Sequence, residues 1–245
     1  MTNVGGEWLI TFEGEDQSYC LDEGMNGKPS ASVYWTYRRG ANAMCGRYQF
    51  SSKESREMQK IIRDAERRSR GQFPGELNFP MAGDVAPTQV APVLIASGGK
   101  VVAEFQRWGI PGWRGGLIIN ARAETVCEKP MFRRSMAAQR CVIPASGYYE
   151  WDAGKHKYFF QVPGKPIYLA GIYDNVDGIN CYVVLTTAPN ASVEGIHDRM
   201  PLILSHDQVR PWLTDPQAAL TLLTIVPPEL QKTCEDGQLS FADLA

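Results

Sequence analysis

The sequence has 245 residues, 44% hydrophobic and 21% charged, with a formal net charge of −2, the balance of a globular protein with one full core or one core plus an appendage. No run approaches the ~18 apolar residues that cross a bilayer, and "MTNVGGEWLITFEGEDQSYC" lacks the basic start and continuous apolar stretch of a secretory signal. Near neutrality does not announce a nucleic-acid binder, and six cysteines scattered without a C-x-x-C pair suit neither a zinc site nor a small disulfide scaffold, so reduced thiols, a cytoplasmic location and no metal or other cofactor are expected.

Residues 1–43 are rich in Gly, Ser, Asn and acids, with short apolar clusters such as "WLITF" and "VYWTY". Residues 1–44 carry six acids against three bases. From Ser51 to about Arg70 the spacing of Met58, Ile61, Ile62 and Ala65 predicts a helix, capped by Ser51 or Ser52 and stopped by Gly71. "FPGELNFPMAGDVAPTQ" follows as a Gly/Pro-rich loop. Short β-branched or aromatic runs then predict strands at 93–96, 101–108, 117–120, 141–144, 147–151, 157–162, 167–173 and 180–187. Residues 129–140 predict a helix between two of them, and "LSHDQVRPWL" and "DPQAALTLL" predict two more, with Ser205 and Asp215 as caps. The expected fold is α+β: a curved, mainly antiparallel sheet or barrel-like core with a few covering helices.

Several stretches carry candidate chemistry. In "ANAMCGRYQF" Cys45 follows Met44. As an internal residue it offers a thiol and suits buried packing; as a first residue, exposed once Met44 is removed, it would offer an amine and a thiol on adjacent carbons. A strand through "INARAET" would set Asn120, Arg122 and Glu124 on one face, either as a functional row or as a solvated edge. In "GYYEW", Glu150 lies among Tyr148, Tyr149 and Trp151, where a carboxylate is costly to desolvate unless paired and is suited to proton transfer or to holding an amine. The sequence has three histidines; His156 falls in a polar hairpin and His206 in a capping segment, leaving His197 of "GIHDRMPLIL" as the general acid/base by elimination. "RWGIPGWRGG" puts Trp108 and Trp113 beside Arg107 and Arg114, suited to stacking on unpaired bases or to anchoring a loop. Between Phe105 and Arg140 seven bases face two acids, a phosphate-binding stretch or a solvated face.

Taken in order, "MCGRY", "VAPT", "RWGIPGW", "INARAET", "RCVIPASGYYEW" and "HDRMPLIL" resemble the SOS response-associated peptidase family, whose members cap abasic sites in single-stranded DNA. The resemblance runs from about Met44 to about Trp212 and implies curved antiparallel β-structure around a positive DNA cleft. It makes Cys45 the catalytic residue, whose amine and thiol capture the C1′ aldehyde of ring-opened deoxyribose as a thiazolidine. Asn120 would position cysteine and sugar, Glu150 would hold or deprotonate the α-amine, and His197 would act on the sugar hydroxyl and in reversal. Arg47, Arg122 and Arg199 would contact phosphates, and Trp113 would form part of a wedge at the lesion. The implied partner is single-stranded DNA containing abasic sites, bound by a monomer, with nucleoid association in a bacterial host. Possession of a lyase or thiol peptidase activity follows from the same resemblance.

The chain departs from the family pattern at Asp84, where Asn is usual before "VAP", in the C-terminal "TIVPPELQKTCEDGQLSFADLA", and in the residues before Met44. While those residues remain attached, Cys45 carries an amide and cannot form a thiazolidine. Residues 1–43 are therefore expected to be an extension upstream of the true start or a pro-segment removed by proteolysis, with 44–245 a single domain. The alternatives are a cysteine autopeptidase that cleaves before Cys45 and a non-covalent single-stranded DNA-binding module.

Overall fold

A computed structural model describes residues 46–53, 55–73, 82–112 and 115–235, and the backbone alone of residues 2–4, 7–11, 18–23 and 29–34. The chain divides into two compact units, one of Met1–Ala43 with Pro111–Ile118 and one of Met44–Ile110 with Ile119–Ala245. In the first, β1 (Thr2–Val4), β2 (Glu7–Thr11), β3 (Ser18–Glu23) and β4 (Pro29–Tyr34) pair in sequence order as an antiparallel meander.

The second unit begins with β5 (Tyr48–Ser51), α1 (Arg56–Arg68), β6 (Ala82–Val85), β7 (Val90–Ser97) and β8 (Lys100–Trp108). The short strands β9 (Ile110–Pro111) and β10 (Leu117–Ile118) pair with each other before β11 (Asn120–Arg122). Next come α2 (Pro130–Ala138), β12 (Arg140–Ala145), β13 (Gly147–Trp151), β14 (Lys157–Gln161), β15 (Ile167–Val176) and β16 (Ile179–Thr187). The chain continues through β17 (Met200–Pro201), β18 (Ile203–Leu204), α3 (His206–Thr214), α4 (Pro216–Leu222) and β19 (Gln231–Cys234).

The core is a closed ring. β7 pairs with β8 and β12, β12 with β15, and β15 with β16, all antiparallel, and β16 returns to β8 in parallel. Two tight turns set its register. Gly98–Gly99 and Asp177–Gly178 each place both central residues at positive φ, the conformation that two-residue hairpins need to match strand twist. Val93, Phe105, Ile143, Leu169, Val183 and Leu185 are buried in it. Gly171 lies opposite Cys141 on one side and Val184 on the other. A Cβ there would sit 2.5 Å from Ile143 Cδ1 and 2.9 Å from the Val183 carbonyl, so the strands close this tightly only around a glycine.

A second antiparallel sheet runs β19-β14-β13-β5-β6. Tyr48 of β5 meets the ring through a 2.7 Å hydroxyl–hydroxyl bond to Tyr182, and Trp108 lies 5.2 Å from Tyr48 and stacks 6.2 Å from Tyr182. Burial holds both phenols well above their ordinary pKa. Trp108 is 1% exposed and its Nε1–H donates to the Ile119 carbonyl. It is a core residue, not a stacking platform.

Helices cover what the strands leave open. α1 buries Met58, Ile61, Ile62 and Ala65, and its Asp64 and Ser69 accept the Ala103 and Phe105 amides of β8, which face no strand there. The expected helix starts late because β5 extends through Ser51; Ser55, not Ser51 or Ser52, caps it by accepting the Met58 amide. The expected loop before "VAPT" contains β6, a strand held by its pairing with β5. The expected strand at 117–120 is divided between β10 and β11. Arg140, counted among the exposed bases, is 6% exposed and donates to the carbonyls of Met136, Ala137, Trp212 and Leu213, satisfying the last turns of α2 and α3. The α+β, mainly antiparallel, barrel-like core with covering helices is thus the observed architecture. No helix among the described residues is long and apolar enough to cross a membrane.

Gly171→Ala is expected to destabilise the chain by about 1–3 kcal/mol through overpacking; the urea midpoint should fall with an unchanged slope.

Candidate active site

β16 outruns the ring, and its end carries one group of the expected site residues. On one side β8 lies parallel to Cys181 and Tyr182, and β11 takes up the same line farther on, Asn120 opposite Val184 and Arg122 opposite Thr186. On the other side β15 gives way to β17, Met200 opposite Thr187. The strand that carries Asn120 and Arg122 and the loop that carries His197 and Arg199 therefore flank the same strand end. The Thr186 carbonyl joins them, accepting the Ala123 amide at 2.8 Å and an Arg199 Nη2–H at 2.6 Å.

Glu124 does not extend the row of Asn120 and Arg122, because β11 ends at Arg122 and Glu124 lies in the turn that follows. From there it grips Arg199 in a fork, with two contacts of 2.6 Å. Only 12% of the Arg199 side chain is exposed, so the guanidinium expected at a phosphate is engaged by Glu124 and Thr186. Arg199 holds the Glu124 carboxyl below its ordinary pKa of 4.5, chiefly by hydrogen bonding and against the opposing effect of burial. Arg122 is exposed.

His197 is 17% exposed. Its Nδ1 accepts the Arg199 amide at 3.1 Å, which assigns the proton of the neutral ring to Nε2. The Asp198 carboxylate stands 3.0 Å from the same Nδ1, available to the ring when Nδ1 is protonated.

The second group lies on the other sheet. Glu150 is 1% exposed on β13, opposite Tyr158 of β14. On its other side β13 pairs with β5, Tyr148 opposite Tyr48, and the Tyr149 amide donates to the Arg47 carbonyl at 3.0 Å. Glu150 thus follows the residue bonded to Arg47, which lies two positions after Cys45. Arg47 meets Asp84 of β6 at 3.4 Å. Gln49 Nε2–H donates to the Tyr149 hydroxyl at 3.1 Å, and that phenol is pushed up to about 12 by burial and by the nearby carboxylates of Asp84 and Glu235.

Cys45 and Trp113 lie outside the described residues. The sequence did not single out Glu124 as the partner of Arg199, 75 positions away, nor the Thr186 carbonyl; neither long-range pairing leaves a local mark. His156 is held by Asp152. His206 and Glu57 line a cavity of about 350 Å³ that holds none of the expected site residues. Among the described residues, no three His, Cys, Asp or Glu side chains are grouped to hold a metal.

The fold is a barrel-based α+β architecture with a buried carboxylate, a part-buried imidazole and arginines on neighbouring strands and loops. The chain belongs to the SOS response associated peptidase (SRAP) family, whose model matches residues 44–235. YoqW of Bacillus subtilis (strain 168), named an abasic site processing protein, is 37% identical over 200 residues that span 74% of this chain and 86% of YoqW. YobE of the same organism, also named an abasic site processing protein, is 35% identical over 200 residues, spanning 74% and 88%. The crystal structure of a phage-related protein from Bordetella bronchiseptica shares the fold, with a TM-score of 0.61 at 19% identity over 78% of this chain and 93% of that one.

A carboxyl whose pKa is lowered by folding stabilises the native state above its unfolded pKa and loses that contribution as pH falls through the folded value. Wild type should therefore exceed Glu124→Gln in stability by roughly 1 kcal/mol, after solvent screening, above about pH 4.5. Denaturant titrations at decreasing pH should show the gap closing below that value.

Proposed function

We propose that this chain processes abasic sites in single-stranded DNA by covalent capture through Cys45. The observation that carries the reading is Glu150, a carboxylate kept 1% exposed on β13, next to Tyr149, whose amide is bonded to the Arg47 carbonyl two positions after Cys45. A carboxylate kept from water is suited to exchange a proton with a neighbouring amine, and the α-amine of a chain beginning at Cys45 would be such a group. Membership of the family and the names of the relatives support the same substrate.

The chemistry follows from these groups. The α-amine of Cys45, with an ordinary pKa of about 8, keeps a neutral fraction at neutral pH. It attacks the C1′ aldehyde of the ring-opened sugar, and Glu150 takes up and returns the amine proton. The carbinolamine loses water with a proton from Glu150 or from His197 Nε2–H, giving a Schiff base. The thiol then adds across the carbon–nitrogen double bond, its sulfur to carbon and its proton to nitrogen, closing the thiazolidine with net loss of one water. Asn120 orients the sugar from β11. Arg47 and Arg122 contact phosphates, and Arg199 reaches one only by giving up Glu124. Trp113 supplies an apolar face at the lesion. Residues before Cys45 must be absent for this reaction, through initiation at Met44 followed by methionine removal or through cleavage before Cys45. A thiol autopeptidase step is one route to that end.

Incubation with a single strand carrying one abasic site should give a species that survives denaturing electrophoresis. Cys45→Ala should abolish it, and Glu150→Gln should slow its formation by roughly 100-fold. An equally abundant adduct in Cys45→Ala would overturn the reading. Salt-sensitive binding without any adduct would favour the non-covalent binding module.

A further inference from the structure

Two of the arginines assigned to phosphates already face a carboxylate, and the two pairs differ in kind. Arg199 and Glu124 share two contacts of 2.6 Å, with the Thr186 carbonyl adding a third bond at 2.6 Å to a guanidinium only 12% exposed. Arg47 and Asp84 share one contact of 3.4 Å, with side chains 37% and 32% exposed. The Nε–H of both guanidiniums is buried and has no hydrogen-bond partner among the described residues, so the two pairs differ at their terminal nitrogens. The first pair fixes a loop. The second is a loose pair of the kind that contributes little to stability, on a guanidinium with bonding capacity to spare.

Both partners of the loose pair are anchored through their backbones. The Arg47 carbonyl accepts the Tyr149 amide, and Asp84 lies on β6 opposite Gln49, next to the pairing of Val85 with Tyr48. A phosphate offered to Arg47 could take a two-pronged, charge-assisted geometry that Asp84 does not achieve. Asp84 would stay within reach on the neighbouring strand as a fixed negative charge beside the incoming one. Tyr149, whose hydroxyl lies near Asp84 and keeps its proton, supplies no compensating positive charge.

We propose that Asp84 is a built-in competitor for DNA phosphate at Arg47, so that strand binding is an exchange of one anion for another and Asp84 sets its strength. The proposal rests on the DNA reading above. It identifies Asp84 as an affinity-determining residue that acts through Arg47, not as a catalytic one. The exchange keeps the undamaged strand weakly held and leaves durable attachment to the covalent step.

The test uses an intact single-stranded oligonucleotide, which has no aldehyde, so that fluorescence anisotropy reads reversible binding. Asp84→Asn is isosteric. It should tighten binding roughly three- to tenfold at low salt, the effect of removing one screened charge a few ångströms from a phosphate. The slope of log K against log salt should steepen by about 0.7, the value for one added phosphate neutralisation on a single strand. In an Arg47→Ala background the gain from Asp84→Asn should shrink to the part owed to direct repulsion of the phosphate by Asp84. A wild-type chain that binds while Asp84→Asn binds no more tightly would overturn this proposal alone, as would a gain undiminished by the loss of Arg47. Failure of wild type and Asp84→Asn alike to bind or capture DNA would remove the DNA reading and this proposal with it.

Discussion

Strand β16 has more length than the barrel needs, and the candidate site is organised around that surplus. Its first residues close the ring between β15 and β8, where Gly171 lets the strands approach. Residues 185–187 then pair outward with β11 and β17. A buried backbone carbonyl must find donors, and that of Thr186 takes one from each flanking segment, the Ala123 amide and the Arg199 guanidinium. Asn120 and His197 therefore inherit their positions from main-chain hydrogen bonding that also holds the core together. Side chains set beside a rigid sheet in this way keep their geometry.

The charges divide by geometry. Arg140 is committed to four helix-end carbonyls and Arg199 to a forked carboxylate; both support structure. Arg47 is held by a single long contact and Arg122 is exposed, which leaves them the cations best able to meet a phosphate. A formal net charge of −2 is compatible with such a site because only a few placed arginines are needed around one lesion, and a covalent bond does not depend on counterion release.

Much of the fold was legible wherever local signals were strong. Period-3.6 spacing marked α1, the stretch 129–140 read as a helix between strands, and β-branched runs between Gly, Asn and Asp turns marked the ring strands. β5 and β6 were not legible, since four-residue strands in a Gly/Pro-rich setting are held by each other and not by propensity. Trp108 looked equally suited to stacking on bases or to a structural place because its local sequence does not reveal that Tyr48 and Tyr182 enclose it. Asn120, Glu150 and His197 could be proposed as site residues from residue type and motif. What each arginine pairs with could not, because Arg47–Asp84 and Arg199–Glu124 are tertiary contacts across 37 and 75 positions.

The aminothiol chemistry of Cys45 is tested most directly by intact mass spectrometry of the protein made from its own gene, before and after exposure to an abasic single strand and then to borohydride. The account predicts a chain that begins at Cys45. It also predicts an adduct equal to that chain plus the oligonucleotide less one water, unchanged by borohydride because a thiazolidine has no imine to reduce. A chain that retains the residues before Cys45 and still forms the adduct would contradict it, as would an adduct that gains two hydrogens on reduction, the mark of a Schiff base left open.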